Sequence, residues 1–125
     1  MTTPLAFFRC AHCGTVAWKL YDGGAPLHCC GAPMVECVPN STSAAQEKHV
    51  PVVMRGDSGL IVSVGAVAHP MEEQHFIGFI AVQDGAQVHV RSLSPGDVPR
   101  FTLPGVNADA AVVYAWCNLH GLWKA

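Results

Sequence analysis

Six cysteines and seven histidines in 125 residues carry most of the chemistry this sequence can do, and their spacing sorts them into two groups. Cys10-Ala11-His12-Cys13-Gly14 is a C-x-x-C knuckle: two thiolates converge on one metal while Gly14 lets the backbone return. Cys29-Cys30-Gly31 follows at a distance suited to a second pair. Neighbours in an extended chain point to opposite faces, so Cys29 and Cys30 share a metal only where the chain turns sharply, which Gly31 allows. One knuckle is a weak signal; joined to a second cysteine pair it becomes a strong one. A tetrahedron of four sulfurs suits iron or zinc, and spacing does not separate the two. His12 and His28 read as surface residues beside a filled site, and Cys37 as a small apolar group.

The second group is spread along the chain. His49 follows Glu47-Lys48, His69 and His75 bracket Pro70-Met71-Glu72-Glu73-Gln74, and Cys117 and His120 bracket Asn118-Leu119. Taken singly, each histidine is more often a hydrogen-bonded or surface residue than a ligand. Together with a late cysteine they form the nitrogen and sulfur set of a transition metal. Pro70 biases His69 toward extended backbone, and Gly121 permits a turn after His120.

Such residues need a scaffold that gathers loops at one end. The segments Val50 to Met54, Leu60 to Val67, Phe76 to Val82, Gln87 to Leu93 and Ala111 to Trp116 are rich in Val, Ile and Phe and read as strands. Turn signals separate them at Gly56-Asp57-Ser58-Gly59, Asp84-Gly85 and Ser94-Pro95-Gly96-Asp97. The fold class is all-β, a sandwich or barrel with no convincing helix, and the candidate ligands fall at strand ends and loops, where a sandwich collects distant residues. In Val88-His89-Val90-Arg91 the alternation sets His89 and Arg91 on one face, read as the solvated one. Trp18, Trp116 and Trp123 read as packing, and Glu72, Glu73 and Asp97 as solvated loop charges.

Cysteine is concentrated before residue 38, and Pro39-Asn40-Ser41-Thr42-Ser43 has the composition of a linker running toward Gln46. Two unequal domains are expected, residues 1–38 and 39–125. The first is too small to bury much surface, so a metal crosslink is expected to stabilise it. With 50% apolar and 13% charged residues the chain is globular, and a net charge of -2 without charge runs speaks against nucleic acid. Met1 to Arg9 lacks the pattern of a signal peptide and no apolar stretch is long enough to span a membrane, so a cytoplasmic protein with reduced thiols is expected.

Glu47-Lys48-His49-Val50-Pro51, His69-Pro70-Met71-Glu72-Glu73-Gln74-His75 and Cys117-Asn118-Leu119-His120-Gly121 resemble the signature segments of superoxide reductases, and the early cysteines resemble those of desulforedoxin. In order and across nearly the whole chain, the pattern resembles the desulfoferrodoxin family. That resemblance implies a desulforedoxin-like domain holding iron on Cys10, Cys13, Cys29 and Cys30, then an immunoglobulin-like sandwich. It also implies a catalytic iron held by His49, His69, His75 and His120 with Cys117 as axial ligand, in a homodimer. The complete cysteine quartet implies the two-iron class.

On that ligand set a ferrous centre keeps a net charge near plus one and an open coordination position, which attract and admit an anion. The thiolate donates electron density toward the bound oxygen species. By the resemblance, Lys48 attracts superoxide and organises a proton-donating water, and Glu47 occupies the open position in the resting ferric state. Each turnover consumes an electron, which implies an external donor resembling rubredoxin. The competing readings are a non-catalytic iron electron carrier and a zinc-stabilised binding module; the open position argues against the first, and the histidine group would have no purpose in the second.

Overall fold

The computed structural model describes residues 3–57 and 59–125, so Met1 and Thr2 of the expected first domain and Ser58 of the first turn signal lie outside the described residues. The chain separates into two compact units, one ending at Val38 and the other running Pro39–Ala125.

The smaller unit is built from very short strands. β1 (Phe7–Arg9) pairs antiparallel with β2 (Val16–Trp18) on one side. β3 (His28–Cys29) and β4 (Ala32–Pro33) form a hairpin, and β5 (Val35–Glu36) closes on the other side of β1. Only Phe7 and Cys10 are buried here among the described residues, at 4% and 3% exposure, so apolar packing contributes little. Lys19 adds local ties, donating to Asp22 and to the Ala25 carbonyl at 3.0 and 2.6 Å.

The larger unit is a sandwich of two antiparallel sheets. Its elements are α1 (Gln46–His49), β6 (Pro51–Arg55), β7 (Gly59–Val64), β8 (Ile77–Asp84), β9 (Gln87–Ser92), β10 (Arg100–Pro104), β11 (Val112–Cys117) and β12 (Gly121–Lys124). One sheet runs β10-β7-β6 and the other β12-β11-β8-β9. Alternation places Leu60, Val62 and Val64 of β7 inward, where they meet Ile80, Val82, Val113 and Ala115 of the facing sheet, all nearly or wholly buried. The all-β expectation holds.

Several details differ from the sequence reading. α1 was not expected; it is a single turn, closed by the Val50 N–H on the Gln46 carbonyl at 2.9 Å, and Pro51 stops it by holding Val50 extended. β10 and β12 were not expected either: β10 mixes Arg100, Thr102 and Pro104 with its apolar residues, and β12 is four residues long and opens on glycine. The expected linker is no free tether. Asn40 takes up the edge of β12, donating its backbone N–H to the Leu122 carbonyl at 3.0 Å and exchanging side-chain bonds with Lys124. Asn40 does so in a left-handed conformation at φ 58°, which asparagine tolerates.

The face assigned to solvent on β9 is also reversed. His89 pairs with Val82 and Arg91 with Ile80, both members of the core cluster, so their side chains start on the core side of the sheet; His89 is half-buried there, while Arg91 reaches out at the edge and is exposed, as is Val90 at 51%. Arg91 crosses the open edge of the sandwich to donate to the Arg100 carbonyl of β10 at 2.5 Å. An edge strand lets a long basic side chain cover core and still reach a partner.

Candidate metal centres

In the smaller unit the four cysteines come together. Cys10, Cys13, Cys29 and Cys30 have all their sulfurs within 4.8 Å of one another. The knuckle closes as its spacing requires, with the Cys13 N–H directed at the Cys10 sulfur at 3.4 Å and the Gly14 N–H on the Cys10 carbonyl at 2.9 Å. Cys30 and Gly31 are the two turn residues of the β3–β4 hairpin, with φ of 53° and 77°. Two positive φ values in a two-residue turn are the type I′ pattern, and this turn swings Cys30 to the same side as Cys29, their sulfurs 3.9 Å apart.

The thiols titrate against each other. Hydrogen bonding from the Thr15 hydroxyl, 3.1 Å away, pulls Cys13 down to about 6, and the Cys13 N–H draws Cys10 down. Cys29, 3.6 Å from Cys13, is pushed up to about 12 by its sulfur neighbours, and Cys30 rises for the same reason. Four crowded sulfurs of which some ionise readily and the rest resist is the state a cation resolves, since it stabilises all four thiolates at once. The donor set therefore fits a tetrahedral metal. Thr15 carried no signal in the sequence beyond its closeness to the knuckle. His12 and His28 are exposed and lie outside this cluster, as does half-buried Cys37.

In the larger unit the second group also converges, and each side chain is delivered by the end of an element. His49 is the last residue of α1, 2% exposed, and its Nδ1–H donates to the Ala45 carbonyl at 2.7 Å, leaving Nε2 to face inward. His69 follows β7 and likewise donates from Nδ1 to the Pro70 carbonyl at 2.7 Å. The loop that carries it folds back on α1: a Cβ on Gly65 would collide with the carbonyls of Val67 and Lys48, and Gly65 sits at φ 83°. His75 precedes β8 and is held by a reciprocal backbone pair with Glu72 at 2.9 and 3.1 Å. Cys117 ends β11, fully buried, and His120 closes the turn into β12, with Nδ1 3.8 Å from the Cys117 sulfur and 3.1 Å from His49 Nε2.

The four imidazoles form a closed square. Ring centroids of successive neighbours His49, His69, His75 and His120 lie 4.6, 4.7, 5.1 and 4.8 Å apart around the circuit, each pair edge to face, while His49 and His75 face each other across it at 6.2 Å. The sulfur of Cys117 and donor nitrogens of His49, His69 and His75 all lie within 4.8 Å of one another. Trp123 stacks on the outer side of the His49 ring at 4.9 Å.

Electrostatics favour ligation over protonation. Burial holds His69 down at about 4, with an opposing contribution from its bond to Pro70, and burial likewise lowers His49 and His75. Neighbouring imidazoles add to the effect on each. Burial raises the Cys117 thiol, while the N–H groups of Leu119 and His120 directed at its sulfur act the other way. Nε2 of both His69 and His75 is buried without a hydrogen-bond partner. Orphaned polar atoms of this kind cost about 1–3 kcal/mol each, and a metal ion held by these nitrogens would relieve them.

Glu47 and Lys48 sit on α1 and are exposed. The Lys48 charge disfavours protonation of His49 and of His75, so its field reaches the imidazoles. The Glu47 carbonyl accepts the Val67 N–H at 2.8 Å and ties α1 to the loop leading to His69. Sequence reasoning missed Trp123, Thr42, whose hydroxyl donates to the His120 carbonyl at 2.9 Å, and Asn118. Asn118 and Thr42 are polar residues beside or before ligands, a signal too common to single them out.

Comparison with known proteins adds four findings. The sequence model of the desulfoferrodoxin family matches residues 41–125. A desulfoferrodoxin of Syntrophotalea carbinolica is 42% identical over 125 residues, covering 100% of this chain and 98% of that protein. The crystal structure of a superoxide reductase from Treponema pallidum superposes with a TM-score of 0.78 at 28% identity, covering 98% of this chain and 99% of that one. A one-iron superoxide reductase from Giardia intestinalis matches at a TM-score of 0.52 and 26% identity, covering 95% of its own length and 63% of this chain.

Proposed function

The chain belongs to the desulfoferrodoxin family, and from that premise we infer that it is a superoxide reductase. The observation that carries this reading is the square of four imidazoles beside a buried cysteine, two of them with orphaned nitrogens. Residues 1–38 are the proposed four-cysteine iron domain, with Cys10, Cys13, Cys29 and Cys30 as the ligands. Residues 39–125 are the proposed reductase domain, in which His49, His69, His75, His120 and Cys117 would hold the second iron.

When bound there, a ferrous ion supplies the one electron that, with two protons, converts superoxide into hydrogen peroxide. The protein prepares the site in three ways. Burial disfavours protonation of His49, His69 and His75, and the hydrogen bonds from His49 and His69 to backbone carbonyls fix which nitrogen faces inward. The N–H groups of Leu119 and His120 moderate the charge on the Cys117 sulfur. Lys48 is exposed on the same turn as His49; its ammonium draws an anion toward the imidazoles and orients a water that delivers a proton. Glu47, its neighbour, is proposed as the carboxylate that approaches the centre in the oxidised resting state.

A reductase needs an electron from outside. A rubredoxin-like carrier is the proposed donor, and the protein is proposed to act as a homodimer in the cytoplasm, where thiols such as these stay reduced. None of the described helices is long and apolar enough to cross a membrane. The test is to mix reduced protein with superoxide and assay the products. Hydrogen peroxide in equimolar yield with superoxide consumed, and no dioxygen, is the expected result; dioxygen at half the superoxide consumed would mean dismutation instead.

A further inference from the structure

Asn118 lies between two candidate ligands in sequence, Cys117 and His120, and its bonds go to the backbone on both sides of a third. Its side-chain oxygen accepts the N–H of Phe76 at 2.9 Å, its side-chain NH2 donates to the Gln74 carbonyl at 3.0 Å, and its backbone N–H donates to the Phe76 carbonyl at 3.2 Å. Gln74 and Phe76 flank His75.

These bonds stand where the sheet would otherwise stop. β8 and β11 run in register from Val112 opposite Gln83 to Trp116 opposite Phe79; the register then slips, and Cys117 pairs with Ile77. The displaced residue is Gly78, where a Cβ would come within 2.7 Å of the Trp116 ring, so the slip is built into the packing. Beyond it the ladder ends, and the Asn118 amide takes over, offering an acceptor and a donor to the chain next to His75. Without that amide, two of the three bonds that Asn118 makes to the chain around His75 would be lost.

We propose that Asn118 is a positioning residue of the second metal centre, fixing the spacing between His75 and Cys117 by clamping the backbone on both sides of His75. The proposal rests on the reading of these side chains as iron ligands. Residues that orient ligands in this way typically change metal affinity by about 10–100-fold when removed.

The experiment uses the full-length, iron-loaded, reduced protein and compares wild type, Asn118→Ala and Asn118→Asp. Three readouts are taken: the rate at which a chelator removes each iron, the sulfur-to-iron absorption after oxidation, and hydrogen exchange at the Phe76 amide. Asn118→Ala is expected to lose the histidine-bound iron about 10–100-fold faster, with a shifted sulfur band and a faster-exchanging Phe76 N–H, while the four-cysteine iron leaves at its wild-type rate. Asn118→Asp keeps the acceptor for Phe76 and loses the donor to Gln74, so it should fall between; it carries the test if the alanine variant does not fold. A purely structural role would lower the melting temperature and leave iron release and the sulfur band unchanged, and that result overturns the proposal. Wild-type protein that takes up iron only at the cysteines would instead remove the reading of the second centre, and this inference with it.

Discussion

The two units solve the problem of holding a metal in opposite ways. In the smaller one the cysteines are the main structure: two buried residues among those described, strands of two or three residues, and proposed ligands of which Cys13 and Cys30 are exposed. In the larger one the ligands are appended to a sandwich whose core residues Leu60, Val62, Ile80, Val82 and Val113 are wholly buried without any help from a metal. A metal that makes its own fold has little freedom to react; one placed on a fold that stands without it can keep a position free for substrate.

The sharpest break in that comparison is expected on removing metal. Replacing Cys29 by serine, or stripping iron with a chelator, should abolish amide protection throughout residues 7–37, because a small unit with so little core folds with its metal, as zinc-finger peptides do at about 10–16 kcal/mol of structural zinc binding. Protection in β7, β8 and β11 should persist. Hydrogen exchange on the intact chain reads both at once, and loss of protection in the sandwich as well would show that both units depend on metal for their fold.

Next in size is Cys117→Ser. It should erase the sulfur-to-iron absorption of the second centre and lower superoxide reduction at least about 100-fold, a loss of about 2.7 kcal/mol or more in transition-state stabilisation. The four-cysteine absorption should not change. Retained activity would move the reaction away from the sulfur that sets this centre apart from a site of imidazoles alone.

A smaller effect belongs to Lys48→Ala. With iron retained at both centres, the second-order rate with superoxide should fall about 10-fold at low salt and by less as salt rises, since the role assigned to the ammonium is attraction of an anion. An equal rate at every ionic strength would remove Lys48 from the mechanism. The smallest change is expected from Glu47→Ala, which should leave the encounter rate near wild type and alter only the absorption of the oxidised resting protein. An identical oxidised spectrum would refute the role given to the Glu47 carboxylate.

The same contrast explains what could be read from the residues alone. The cysteine cluster was legible because its ligands come as near neighbours, Cys10 with Cys13 and Cys29 with Cys30, and local geometry decides whether they meet. Even the sharp turn at Cys30 followed from requiring adjacent sulfurs to share a metal, though its left-handed φ did not. The histidine square depends on contacts between residues as far apart as His49 and His120, which spacing does not encode; the resemblance of the flanking segments supplied what periodicity lacked.

Strands with continuous apolar runs, β7, β8 and β11, were legible from composition, whereas β10 and β12 were not, because their residues gain strand character from their partners. α1 was invisible for a different reason. One turn has no period to detect, and its existence rests on the Pro51 stop and on the Gly65 loop packed against it. His89 and Arg91 were assigned to the wrong face because alternation gives two faces without saying which is inside, and at an edge strand polarity misleads.

The central claim is that superoxide meets the imidazole and Cys117 centre and not the four cysteines. Rapid mixing of fully reduced protein with less than one equivalent of superoxide, followed by absorption at both centres, tests it directly. The oxidised sulfur-to-iron band of the second centre should appear first while the four-cysteine centre is still reduced. Oxidation of the four-cysteine centre before or in place of that band would contradict the account.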